Sequence, residues 1–187
     1  MSSTGRPGPR ERLLAAATDL TYTHGVGVGV DAILNQADVA RRSLYQHFGG
    51  KDGLLVEVIR ATSTEEKQLY QAALASGGSD PRKRLLGVFE LLVAAVSAPS
   101  FRGCRYIAAD LALVDPDHPV HAETRAHRQW LHQMFDAELT ALGHPDPARA
   151  ADELQFLLEG ALVVGATRPE ANAGQTARRL AEQVIGG

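Results

Sequence analysis

Cationic and hydrogen-bonding side chains are concentrated in one short stretch, "RRSLYQHFGGKDGLL", at residues 41–55. On a helix that advances about 100° per residue, Leu44 and Phe48 fall on one side, and Arg42 and Gln46 fall opposite them. Arginine and glutamine can hydrogen-bond the edges of bases in the major groove of duplex DNA. The stretch therefore supplies candidate DNA-binding side chains: Arg41, Arg42, Ser43, Tyr45, Gln46, His47 and Lys51.

The neighbouring elements suit such a role. A short helix over residues 31–37, joined by "ADV" to a helix over residues 40–48, predicts a helix-turn-helix. Asp38 stands at the turn, where a left-handed backbone is often needed and aspartate tolerates it. A helix that restarts at Lys51 would offer free N–H groups and a positive dipole end to a phosphate. The alternative is that the arginines simply form a solvated helix face.

The rest of the chain also shows helical spacing, and each break contains Pro, Gly or Asp. The first eight residues, "MSSTGRPG", are expected to form a flexible tail. The pattern predicts an all-α fold of about nine helices, over residues 9–25, 31–37, 40–48, 51–75, 81–97, 101–114, 119–142, 147–166 and 173–185.

Composition limits the class of protein. Hydrophobic residues make up 44% of the 187 residues, which is enough for a core. No apolar run is long enough to span a bilayer, so we expect a soluble cytoplasmic protein. The first 51 residues carry six Lys or Arg and four Asp or Glu, whereas the remaining residues carry 13 and 18. A basic N-terminal part followed by an acidic remainder is typical of a chain whose first part binds a polyanion.

Residues 10–55 resemble the TetR family of bacterial transcriptional regulators. The resemblance is carried by "ERLLAAATDL" in the first helix, and by "LYQHF" followed by "GGKDGLL". These match the family's Leu-Tyr-x-x-Phe and x-x-Lys-x-x-Leu pattern. The resemblance implies a three-helix DNA-binding domain over residues 1–50, a ligand-binding and dimerisation domain over residues 51–187, and repression relieved by a small molecule. By position, Tyr45 and Lys51 would contact phosphates, and Arg42, Ser43 and Gln46 would lie on the recognition helix.

Three residues depart from the family pattern. Gly29 stands where Thr or Ser usually caps the second helix, Asp38 replaces the usual turn glycine, and Ala40 replaces the usual capping Ser. Alanine is a poor N-cap, by about 1 kcal/mol relative to serine. The departures concern phosphate contacts at residues 29 and 40 rather than the fold.

Aromatic and large apolar side chains gather in the helices predicted over residues 81–97, 101–114 and 119–142. They predict a mostly apolar pocket for a small aromatic or polycyclic effector. A hydrophobic core explains several of them equally well. The candidate ligand-binding residues are Phe89, Leu92, Val96, Phe101, Cys104, Tyr106, Trp130, Met134 and Phe135. Helical spacing also predicts that Phe101, Cys104, Ile107, Ala108 and Leu111 face the interior.

Two other chemistries are weighed and not favoured. Glu123 and His127 form an i, i+4 pair that could bind zinc, although such a pair more commonly lies on a helix surface. Cys104 is more simply a small apolar residue than a redox sensor. No nucleophile, phosphate-binding glycine loop or carboxylate pair indicates an enzyme, and no cofactor is expected. The remaining alternative function is a helical small-molecule-binding protein or enzyme with no DNA-binding role.

The last two predicted helices suit a homodimer through residues 147–185. Apolar residues cover much of the first helix, so one side can face the core and the other a partner: Leu154, Leu157, Leu158, Ala161, Leu162 and Gly165. A similar stripe runs along the second helix at Ala177, Leu180, Ala181 and Val184. Two such hairpins would form a four-helix bundle.

Overall fold

The computed structural model describes residues 6–187, and this part of the chain contains nine α-helices and one short 3-10 helix. Residues 1–5 of the predicted tail lie outside the described residues. The all-α prediction is confirmed. The helices are α1 (Pro9–His24), α2 (Val30–Ala37), α3 (Arg41–Phe48), α4 (Lys51–Ser76), α5 (Pro81–Val96), α6 (Arg105–Ala112), α7 (Val120–Leu142), α8 (Pro147–Thr167) and α9 (Ala173–Gly186), with the 3-10 helix at Pro169–Ala171.

Two helices begin with the same local device, an aspartate followed by proline. The Asp80 carboxylate accepts hydrogen bonds from the backbone N–H groups of Arg82 and Lys83 at the start of α5. The Asp146 carboxylate accepts one from the N–H of Arg149 at the start of α8. Proline at the first helical position already has a suitable φ angle, and the carboxylate satisfies N–H groups that have no intrahelical acceptor. These boundaries are therefore encoded locally.

One compact unit comprises the chain up to Ser63 together with Arg105–Thr124. Its core joins α1, α2, α3 and the first turns of α4. The buried residues are Leu13, Ala16, Ala17, Ile33, Leu34, Ala37, Leu44, Leu54 and Val58. Because α3 contributes Leu44 to this core and packs Phe48 against it, the opposite side of the helix is directed away from the core.

The second unit comprises Thr64–Cys104 and Arg125–Gly187. Its core includes the stacked rings of Phe89 and Phe135, whose centroids lie 6.1 Å apart. Helices α5 and α9 approach closely at Gly174, where a Cβ atom would lie only 2.9 Å from the Cα atom of Val93. A larger residue at position 174 would therefore push these two helices apart.

Helix α6 differs from its prediction in length and in the face that it buries. Phe101 and Cys104 precede the helix, which begins at Arg105. The prediction that Ala108 and Leu111 face the interior is wrong, since both are exposed and Leu111 is 80% accessible. Tyr106 and Ala109 are buried instead. This face is selected by a long-range contact, because Asp110, on the same side, accepts a hydrogen bond from the Thr124 hydroxyl at 2.8 Å.

The packing units do not coincide with a simple division of the chain at residue 50. Residues 51–63 pack with the first three helices through Leu54 and Val58, and Arg105–Thr124 belongs to the same unit. The division of roles between residues 1–50 and 51–187 stays a prediction.

Candidate nucleic-acid interface

Helix α3 has one buried side and one exposed polar side. Leu44 is 2% accessible and Phe48 is half-buried against the same core. The candidate DNA-binding side chains lie around the remaining surface: Arg41, Arg42, Tyr45, Gln46 and His47 are exposed, and Ser43 is half-buried. Tyr45 is 58% accessible although it is a large aromatic residue. The buried face predicted from helical spacing is therefore the observed one.

The turn between α2 and α3 has a left-handed residue. Asp38 has φ 51° and ψ 55°, as its place at the turn predicted, and its N–H donates to the carbonyl oxygens of Asn35 and Leu34 at the end of α2. Ala40 is the N-cap of α3, and its methyl group cannot accept a hydrogen bond. The amide of Ser43 donates to the Ala40 carbonyl oxygen at 2.9 Å, which starts the helix.

The junction between α3 and α4 is tight because of glycines. Gly49 ends α3 with φ 71°, and its N–H donates to the Tyr45 carbonyl oxygen at 3.0 Å. A Cβ atom on Gly53 would lie 2.0 Å from the Phe48 carbonyl oxygen, so a side chain there is sterically excluded. This close approach places Lys51, the first residue of α4, directly after the recognition-helix candidate. The role of Gly53 was missed in the sequence, although its position inside the "GGKDGLL" motif was the available signal.

Charges around α3 fall into paired and unpaired groups. Arg41 donates to the Asp31 carboxylate at 2.5 Å, which joins α3 to α2. Within residues 6–187, Arg42 and Lys51 form no ion pair. Arg42 is exposed and Lys51 is half-buried. Cations without an intramolecular partner are available to phosphates or base edges, since no carboxylate has to be displaced first.

Residues far along the chain also reach the start of α4. His118, in the segment between α6 and α7, lies 3.5 Å from the Asp52 carboxylate. His121 lies 2.8 Å from an Asp110 carboxylate oxygen, and this hydrogen bond raises the pKa of His121 above its usual value. Sequence reasoning missed these contacts because helical periodicity carries no information on pairs of distant segments.

The candidate ligand-binding residues are divided between the two units. Phe89, Leu92, Met134 and Phe135 lie together in the core of the second unit, and Trp130 packs against that core. Phe101 also belongs to the second unit, where its ring faces Gly165, as does the half-buried Cys104. Tyr106 is buried in the first unit. The structure therefore brings together most of the residues on α5 and α7, but not the full set.

A polar group beside this core was not foreseen. His127 is 2% accessible, and its Nε2 atom lies 3.6 Å from the Glu66 carboxylate. Burial, with smaller contributions from Lys67 and Arg128, lowers the pKa of His127 to about 4. The imidazole is therefore neutral near pH 7 and can both donate and accept hydrogen bonds. Tyr70 stands nearby, with its ring 6.1 Å from that of Trp130, and burial raises its pKa.

The residues considered for zinc have other partners. Glu123 accepts a hydrogen bond from Arg60 at 2.7 Å, whereas His127 faces Glu66. In the described part of the chain, no three His, Cys, Asp or Glu side chains are grouped so that they could hold a metal ion.

An apolar groove runs between α8 and α9 in the second unit. The predicted dimerisation residues divide between two surfaces of this hairpin. Leu154, Leu158 and Ala161 face the core of their own unit, whereas Leu157, Leu180 and Val184 line the groove. Phe156, which the sequence pattern did not single out, is 81% accessible. The groove has a volume of about 470 Å³ and is lined by Asp152, Glu153, Phe156, Leu157, Leu180, Gln183 and Val184.

No helix in residues 6–187 combines the length and the hydropathy needed to cross a membrane.

Comparison with known proteins agrees with this architecture. Residues 13–58 match the family model described as bacterial regulatory proteins, tetR family. The chain is 25% identical over 181 residues to the HTH-type transcriptional regulator YjdC of Escherichia coli (strain K12), which covers 94% of this chain and 93% of that protein.

Two solved structures are more similar in sequence. SCO4454, a TetR-family transcriptional regulator from Streptomyces coelicolor, is 32% identical with a TM-score of 0.90, over 95% of this chain and 94% of that one. A TetR-type regulator (sav143) from Streptomyces avermitilis is 35% identical with a TM-score of 0.79, over 94% of this chain and 99% of that one. With this identity over nearly the whole length, and with an exposed α3 face set between α2 and α4, the chain belongs to the TetR family of non-enzymatic, DNA-binding transcriptional regulators.

Proposed function

We propose that this chain is a ligand-responsive repressor that binds operator DNA as a homodimer in the cytoplasm and is released by a small apolar molecule. In this proposal residues 1–50 bind DNA, and residues 51–187 bind the effector and dimerise. The observation that carries the proposal is the α3 surface: Leu44 is buried, and Arg42 and Gln46 are exposed on the opposite side. A recognition helix with this orientation can enter a major groove without exposing the core.

The exposed side chains would divide between base and backbone contacts. Arg42 and Gln46 point furthest from Leu44, so they would read base edges. Tyr45 and Lys51 would contact phosphates, helped by the N–H groups at the start of α4, which have no acceptor within their own helix. Ser43 would lie beside Arg42 and Gln46 on the recognition helix. Arg41 and His47 flank this surface. Because Arg41 already pairs with Asp31, it would contribute less to affinity than Arg42.

The α8–α9 hairpin would form the dimer interface. Its groove is mostly apolar, and Asp152 and Glu153 are among the residues that line it. An exposed phenylalanine beside such a groove is unfavourable in water and favourable against a second copy of the same surface. Two-fold pairing of hairpins would build a four-helix bundle and hold the two recognition helices about 34–36 Å apart, one turn of DNA.

The effector would bind in the second unit beside Trp130. This side chain is only half-buried; it packs against the apolar core that holds Met134 and Phe135, and its ring lies 6.1 Å from that of Tyr70. Such a border suits an aromatic ligand with one hydrogen-bonding group. Helix α4 carries both Lys51 and Tyr70, so a shift of this helix would link effector binding to DNA binding.

The first experiment measures duplex DNA binding by fluorescence anisotropy across a series of salt concentrations. The probe is a duplex selected from a randomised pool by the protein itself, compared with a scrambled duplex of equal length and composition. We expect tighter binding to the selected duplex and a linear fall of log affinity with log salt concentration. Equal affinity for both duplexes, or no binding at low salt, would refute operator recognition.

A further inference from the structure

Asp38 adopts a backbone conformation that normally favours glycine. Its left-handed angles, φ 51° and ψ 55°, are unfavourable for residues with a Cβ atom. The turn is nevertheless ordered by backbone bonds, since the amide of Val39 donates to the Leu34 carbonyl oxygen at 3.1 Å. Aspartate tolerates this conformation better than most residues with a Cβ atom, and a group outside the turn offsets the remaining conformational penalty.

The compensating group is Arg12 of α1. Its Nη1 atom donates to the carbonyl oxygens of Ala37 at 2.9 Å and Asp38 at 2.8 Å, and it lies 3.4 Å from the Asp38 carboxylate. The last carbonyl groups of a helix have no intrahelical donor, and a cation at this end is favourable. Arg12 is held in place because its neighbour Leu13 is fully buried in the core. The guanidinium thus caps α2 from another helix.

A second arginine completes the arrangement. Arg6 also pairs with the Asp38 carboxylate, and both of these side chains are largely exposed. The two arginines, Arg6 more than Arg12, hold the pKa of Asp38 below its usual value. The carboxylate is therefore charged at neutral pH and stays attractive to both guanidinium groups.

The turn matters because α3 has few other anchors at its start. Ala40 supplies no capping side chain, so the position of the first turn of α3 depends on the Arg41–Asp31 pair and on the turn itself. A change in the turn would rotate or tilt α3 about Leu44 and move Arg42 relative to a base edge. Small displacements of this kind reduce base discrimination more than general affinity for phosphates.

We propose that Arg12 is a positioning residue for DNA recognition, acting through Asp38 to fix the turn that orients α3. This inference rests on the proposed DNA-binding function. In this proposal Arg12 makes no contact with DNA. Its hydrogen bonds form a cross-helix clamp that stabilises the left-handed turn, which a glycine at position 38 would adopt without strain. The pair should therefore be interdependent, so that a glycine at position 38 makes Arg12 dispensable.

The test compares wild-type protein with Arg12→Met, Asp38→Gly and the double variant, all as full-length chains. Anisotropy titrations give the affinity ratio between the selected and scrambled duplexes and the salt slope. Thermal unfolding of the same samples gives the thermal midpoint. We expect Arg12→Met to lower the ratio by about tenfold, the discrimination lost when one base contact of α3 is misplaced. The salt slope should not change, and Asp38→Gly should restore the ratio in the double variant. Lys83→Met, which removes a cation in the second unit, should leave the ratio at the wild-type value.

Several results would overturn the inference. An unchanged ratio for Arg12→Met would show that the clamp does not orient α3. A salt slope reduced by about one would make Arg12 a phosphate contact instead. If the affinity ratio of the double variant is as low as that of Arg12→Met, Asp38 is not the group through which Arg12 acts. This conclusion holds even if Arg12→Met is less stable than the wild-type protein. A wild-type protein with no preference for its selected duplex would refute the proposed function itself, which distinguishes that failure from failure of the variants.

Discussion

The guanidinium carbon of Arg105 lies 3.9 Å from the centre of the Tyr22 ring, and the same side chain donates to the Thr18 carbonyl oxygen at 3.0 Å. These contacts join α6 to α1 within the first unit. A cation over an aromatic ring is favourable, and the hydrogen bond adds a second contact with α1. The α6 segment is therefore part of the unit that contains α3.

Loss of the Arg105 contacts should destabilise the first unit. We expect Arg105→Met to lower the free energy of unfolding by about 1–2 kcal/mol, because the cation–ring contact and one hydrogen bond are lost together. Urea denaturation followed by circular dichroism measures the change. Arg102→Met is the matched control, since Arg102 is exposed and precedes the helix. Equal unfolding free energies for wild-type protein and Arg105→Met would contradict the prediction.

Base and backbone contacts should respond differently to substitution. Arg42→Ala and Gln46→Ala should each reduce discrimination between the selected duplex and single-base variants by about 1–3 kcal/mol. Lys51→Ala should instead weaken binding to all sequences and lower the salt slope by about one. Competition titrations separate the two patterns, with Gln133→Ala on the exposed surface of α7 as a control. Unchanged sequence preference in both α3 variants would place recognition elsewhere.

The exposed phenylalanine of α8 should control dimerisation. Phe156→Glu should raise the dimer dissociation constant by more than about 100-fold, because an interface that buries an unpaired carboxylate loses several kcal/mol. The helical circular dichroism should persist, since Phe156 is 81% accessible within one chain. Sedimentation equilibrium measures the association, and Leu69→Glu, another exposed apolar site, is the control. A wild-type monomer at micromolar concentration would rule out this interface.

The buried histidine should make stability depend on pH. Because folding lowers the pKa of His127 from its ordinary value of 6.5 to about 4, the unfolded chain binds more protons between these values. The stabilising effect of a neutral His127 is full above about pH 6.5 and is lost as the pH falls towards 4, by up to about 3 kcal/mol. Unfolding free energies of wild-type protein and His127→Gln across this range give the difference, which should shrink with acidification.

His121 provides a control of opposite sign. Its pKa is raised, mainly by the hydrogen bond that its ring donates to Asp110, so its contribution is full below the unfolded pKa and is lost as the pH rises through the folded one. The difference between wild-type protein and His121→Gln should therefore shrink towards alkaline pH. Parallel pH profiles for the two variants would contradict both assignments.

The effector site can be tested through the single tryptophan. Trp130 has Lys67 5.4 Å from its ring centre and Tyr70 beside it, so a ligand bound there should change its fluorescence. We expect an aromatic ligand that changes this signal to raise the thermal midpoint and to weaken binding of the selected duplex. By reciprocity, the duplex must weaken ligand binding by the same factor. A ligand that alters Trp130 emission without any effect on DNA affinity would separate this site from DNA release.

Much of the secondary structure follows from local sequence. Helical spacing and the proline, glycine and aspartate breaks located nearly all the helices within a few residues. The same periodicity gave the buried side of α3 correctly, because Leu44 and Phe48 are four residues apart and must share a face. Asp38 was also correctly placed in a left-handed turn. These features depend on interactions within about one helical turn, which a single sequence records.

Tertiary structure decided the features that depend on distant partners. Spacing alone could not show that α6 buries Tyr106 and Ala109 rather than Ala108 and Leu111, since that choice is made by contacts with Thr124 and with α1. Likewise, Arg12 reaches the Asp38 turn across 26 residues, and Phe156 faces away from the core that holds Leu158. An amphipathic pattern indicates that a helix has an apolar face. The partner of that face depends on the packing of the whole chain, because the burial and hydrogen bonding of many segments must be satisfied together.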